Sequence, residues 1–201
     1  MITSRSDFER EIQAIDRLVD RGAKLPDQVF RRRVSAFHMF DFDQLWSAEW
    51  FCVAQRLAKA AGDPSFTFAV LRPDPEKYFY AHFGKFPLLQ FTIDDPAEYF
   101  IDTIHDDPGD SAADAIAYNS DAIFTYTASQ RWGIYGDREI EVGIVAAMDD
   151  EMEPAIHAAA SSLRLFTAAE AVSQLLPPVY GGVVPEDVKA ALIRNYSNVA
   201  E

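Results

Sequence analysis

Asp102, His105 and Asp106 are the residues whose types and spacing could most readily do chemistry. On a helix, separations of three and four put them on one face. A carboxylate beside an imidazole can orient it as a base or help it hold a divalent metal. His38, Asp41 and Asp43 repeat the combination more weakly, since Asp41 and Asp43 serve more simply as helix caps. The remaining histidines, His82 and His157, stand in no recognised motif. The chain lacks a two-histidine zinc-protease motif, a Gly-x-Ser-x-Gly elbow, a Walker A loop and a dinucleotide-binding glycine fingerprint. Asp106-Asp107-Pro108-Gly109-Asp110 has the acids of a calcium loop without its alternating oxygen ligands or terminal Glu.

Carboxylates are the more informative residues. The chain of 201 residues carries 18 Lys+Arg against 32 Asp+Glu, a net charge of −14. Residues 86–160 contain 16 acids and only two bases, Arg131 and Arg138. The rest of the chain is balanced, so one segment holds the whole charge. An acidic field of this kind disfavours nucleic acid and anionic membrane and suits a basic protein partner. Its candidate contacts are Asp94, Asp95, Asp106, Asp107, Asp110, Glu139 and Glu141. The string Trp132-Gly133-Ile134-Tyr135-Gly136-Asp137-Arg138 adds aromatic anchors at a hairpin. Trp, Tyr and Arg dominate interface hot spots, so Trp132, Tyr135, Asp137 and Arg138 complete the binding set, the alternative being that Trp132 packs in the core and Asp137 and Arg138 pair across the turn. Gly133 would let a large side chain approach the backbone. The basic run Arg31-Arg32-Arg33 is either a solvated turn or a counter-charge for the acidic segment.

The elements that must position these residues follow from periodicity and punctuation. Phe8, Ile12, Ile15 and Val19 predict a helix over 4–22, capped by Ser6 and stopped by Gly22. A second helix is predicted over 42–61, ended by Gly62-Asp63-Pro64, with Cys52 as a small packing residue inside it. Runs 66–71 and 88–93 read as strands around a short proline-started helix over 75–83. A helix follows over 96–106. Three runs, 122–128, 131–135 and 139–146, predict an antiparallel meander over about 122–146. In the last run Ile140, Val142 and Ile144 alternate with Glu139, Glu141 and Gly143, which implies one buried and one wet face. Helices return over 150–162, 167–176 and 185–195, with Thr167 and Glu170 forming a capping box.

This segregated order argues for an α+β fold: a single domain, its antiparallel sheet flanked by helices. Residues 1–40 read as a helical N-terminal arm packed on the 41–201 domain. A lone cysteine excludes a disulfide framework and any multi-cysteine zinc site. No apolar run reaches the roughly 18 residues of a membrane span, and Met1 to Arg5 lack the apolar run of a signal peptide. A cytoplasmic location is therefore expected.

The stretch Arg131 to Val145, an aromatic strand, a Gly-Asp-Arg turn and an acidic-apolar strand, resembles small acidic bacterial proteins, some of which are immunity partners of secreted toxins. The expected function is non-enzymatic: an interaction module presenting the acidic segment to a basic partner, an immunity-type inhibitor being one form. This reading needs no cofactor and no metal. The alternative is a metal-dependent or small-molecule enzyme built on Asp102, His105 and Asp106. A structural homo-oligomer is a third alternative.

Overall fold

The structure, a computed structural model, describes residues 1–109 and 111–198. It is an α+β fold with a six-stranded antiparallel sheet between two helical layers. The strands are β1 (Ala36–Asp41), β2 (Ser65–Arg72), β3 (Leu88–Thr92), β4 (Ala122–Tyr126), β5 (Trp132–Asp137) and β6 (Val142–Ala147), in sheet order β1-β6-β5-β4-β2-β3. The helices are α1 (Arg5–Leu18), α2 (Ala48–Ala61), α3 (Ala81–Phe83), α4 (Ala97–His105), α5 (Met152–Ala159), α6 (Ala168–Glu170) and α7 (Glu186–Tyr196).

Alternation along each strand sends side chains to two separate cores. Phe66, Phe68 and Val70 of β2, with Trp132 and Ile134 of β5, pack under α2, α4 and α5. Phe124 and Tyr126 of β4, with Val142 and Ile144 of β6, pack under α1 and α7 on the other face. The expected wet face of the 139–146 run is therefore absent. Glu139 and Glu141 sit in the turn before β6, Glu141 at a left-handed φ of 55°, and all six β6 residues are buried. Because helices cover both faces of the sheet, its central strands need no polar side. Gly133 admits the ring of Phe124, as its lack of a side chain suggested: a Cβ there would lie 2.8 Å from the Phe124 ring.

The N-terminal segment departs from the expected arm. Residues Ala36–Asp41 form edge strand β1, paired with β6 in the register His38↔Val145. Position 40 therefore falls inside a strand of the sheet. The first helix starts at Arg5, within a residue of the expected start, but its cap is Ser4 and not Ser6, the Ser4 hydroxyl accepting from the Asp7 amide. It ends at Leu18, before Gly22, because Val19 bridges to Phe30. The 42–61 helix is two elements: a tight turn over Phe42–Trp46 capped by Asp41, then α2 capped by Ser47 and closed by Gly62 at a left-handed φ of 79°. The Thr167–Glu170 capping box forms as expected. Among the described residues, no helix is long and apolar enough to cross a membrane.

Candidate functional site

The acidic candidates separate into two environments. Those near the β5–β6 turn are drawn into the fold. Trp132, Tyr135 and Asp137 are each at most 1 % exposed, so none is a surface anchor. The correction has a physical cause: β5 is a central strand, and its side chains supply both cores. The Asp137 carboxylate accepts from Arg72 Nη2 at 2.7 Å and from the Glu139 amide at 3.1 Å. Arg138 also turns inward. Its guanidinium donates to the Ser120 and Ala117 carbonyls, both at 2.8 Å, and lies over the Phe42 and Trp46 rings. Glu139 is exposed but paired with Lys24 at 2.8 Å, while Glu141 is exposed without an ion pair.

The second environment is the lobe formed by α4 and its flanking loops, residues 94–121. It carries nine acids and no base. α4 buries Phe100 and Ile104 beneath α2, which turns Glu98, Asp102 and Asp106 outward at successive intervals of four. The loop that follows is tied back by the Ala117 amide donating to the Ile104 carbonyl at 3.0 Å. Among the described residues, no ion pair uses an acid from this lobe. Asp95 and Asp107 each give an oxygen to a local turn, accepting from Thr92 and Gly109 amides at 2.7 and 2.8 Å. Asp94 and Asp106 are exposed; Asp110 lies outside the described residues. Two cationic side chains reach the lobe through its backbone carbonyls and not its carboxylates: Arg138, donating to Ser120 and Ala117 at 2.8 Å, and Lys85, whose ammonium donates to Pro108 at 3.3 Å. Two tyrosines stand out of this surface, Tyr99 at 50 % and Tyr118 at 61 % exposure. Neither stood out in the sequence; only burial of their neighbours reveals them.

The catalytic candidates lie on the same lobe. Asp102 and His105 are exposed on α4, and Asp106 is the residue after its end. His105 Nδ1 is hydrogen-bonded to the Ile101 carbonyl at 2.8 Å, and its ring meets Tyr118 edge-on. Those three side chains do not converge as a ligand set. Among the described residues, the group that does is His38, Glu153 and His157.

His38 points from β1 into the face covered by α5, between Ala36 and Phe40. Glu153 and His157 are one turn apart on α5 and so share a face. The ligand atoms of all three lie within 4.8 Å of one another, and the imidazole centroids are 4.4 Å apart. His38 is 6 % exposed, and its Nε2 is buried without a hydrogen-bond partner. Burial, then the neighbouring His157, hold the His38 imidazole below its usual pKa, against the opposing pull of Glu153. Sequence reading grouped His38 with Asp41 and Asp43, which instead face the β1–α2 turn. The Glu-x-x-x-His spacing on α5 was the available signal.

Comparison with protein-family models, with curated proteins and with solved structures finds no match.

Proposed function

We propose that this chain is a non-enzymatic interaction module that docks a basic protein partner on the α4 lobe. The supporting observation is the lobe itself: nine acids without a base, no internal ion pair among the described residues, and two exposed tyrosines among them. Unneutralised carboxylates steer a cationic surface and reject acidic ones. Tyr99 and Tyr118 offer rings on which partner Arg or Lys side chains can stack. The basic face of a nucleic-acid enzyme is the class of surface that fits, which makes an immunity-type inhibitor the favoured form. A reducing cytoplasm suits the single free Cys52.

The binding set is thereby revised. Asp94, Asp95, Asp106 and Asp107 stay in it, joined by Glu98, Asp102, Tyr99 and Tyr118. Trp132, Tyr135, Asp137 and Arg138 leave it, because they act inside the fold.

The test is comparative capture from host lysate at low salt. The triple variant D94K/D102K/D106K should lose the partner, while E9K/E170K on the opposite layer should retain it. Equal capture by both variants, or by neither, would refute docking at the lobe.

A further inference from the structure

We propose that His38, Glu153 and His157 form a binding site for a divalent first-row transition ion, Zn²⁺ foremost. The site uses residues outside the α4 lobe, so it stands or falls separately from the docking proposal.

Three observations converge on it. First, the donor set is two imidazoles and one carboxylate, which is a known zinc complement and suits Zn²⁺ over the oxygen-seeking Mg²⁺ and Ca²⁺. Second, His38 is more than nine-tenths buried, yet its Nε2 has no partner and belongs to the converging group. A buried polar atom without a hydrogen bond is destabilising, so its position calls for a ligand. Third, the supports are rigid: His38 sits in a paired strand, and Glu153 and His157 are fixed one turn apart on α5.

The neutral imidazole is the form that ligates a metal. Ligand atoms around a tetrahedral zinc lie about 3.4 Å apart, given bonds of about 2.0–2.1 Å. A spread of up to 4.8 Å therefore requires a modest inward movement. His157 is exposed and Glu153 half-buried, so both have room to swing toward the buried His38. Three protein ligands leave one coordination position for water, and the exposure of His157 puts that position near solvent.

Isothermal titration of the full chain with ZnCl₂ tests the site, with MgCl₂ as the contrasting ion. One zinc per chain should bind, and Mg²⁺ should not compete. H157Q and E153Q alter side chains that are not fully buried, so the fold should survive; each should weaken zinc binding at least about 10-fold. H105Q, on the α4 lobe, should leave it unchanged. Cobalt substitution should give the visible absorption of a tetrahedral site in the wild type and lose it in H157Q. Absence of zinc binding by the wild-type chain overturns the proposal. So does binding that H157Q retains, or that H105Q weakens as much as H157Q.

Discussion

Residues 1–34 and the α4 lobe, 94–121, are both rich in carboxylates, but they dispose of them in opposite ways. The N-terminal segment has six acids and eight bases. Asp7 and Glu11 meet Arg10, Asp16 meets Arg21, and Asp20 meets Arg31. Its charge is thus largely settled within the layer. The lobe has nine acids and no base, and among the described residues none of its acids is paired. Asp137 is a third case: an acid from the same charged segment, taken inside and neutralised by Arg72. Net charge by segment therefore does not identify a binding face. The useful quantity is charge that remains exposed and unpaired after folding, and by that measure the lobe is distinct.

The comparison can be broken first at Asp137. Its carboxylate is 1 % exposed and Arg72 is 19 % exposed, so D137A leaves a mostly buried guanidinium without its counter-charge. Urea unfolding should show a loss of about 3–5 kcal/mol. In the N-terminal layer, R21Q removes a two-pronged contact to Asp16, at 2.7 and 3.1 Å, near the surface. The same measurement should give only about 0.2–1 kcal/mol. In the lobe, D94N/D102N/D106N removes acids that hold nothing in place. Its stability should stay within about 0.5 kcal/mol of wild type, even though partner capture falls.

The smallest effect concerns pH. Arg131 holds the Asp149 carboxyl below its ordinary range through two hydrogen bonds, at 2.8 and 3.1 Å. The folded carboxyl thus binds a proton less readily than the unfolded one. Its contribution is complete above the unfolded value, near pH 4, and fades as pH falls through the lower folded value. Melting curves should therefore show a small gap between wild type and R131Q that is constant at neutral pH and closes in acid.

Local signals carried most of the fold. The amphipathic period gave α1, the Gly62 and Thr167–Glu170 signals gave helix ends, and aromatic and branched runs gave five strands. The sixth, β1, was illegible because His38 and Asp41 interrupt its apolar pattern, and its pairing comes from β6, more than a hundred residues later. The sites follow the same division. The lobe's acidity was visible as composition, whereas its freedom from counter-charges depends on which bases fold nearby. Arg72 reaches Asp137 only because β2, β4 and β5 are neighbours. His38 reaches His157 only because β1 joins β6 and α5 folds back over that edge. Trp132 and Tyr135 stayed ambiguous for a related reason: a hairpin rich in aromatic residues reads alike whether its strand is central or at an edge.

Hydrogen–deuterium exchange of the chain with and without its captured partner tests docking on the α4 lobe most directly. Protection should concentrate in residues 94–121, centred on Tyr99 and Tyr118, and weaken as salt is raised. Protection confined to α1, α7 or the β5–β6 turn, with the lobe exchanging as in the free protein, would contradict it.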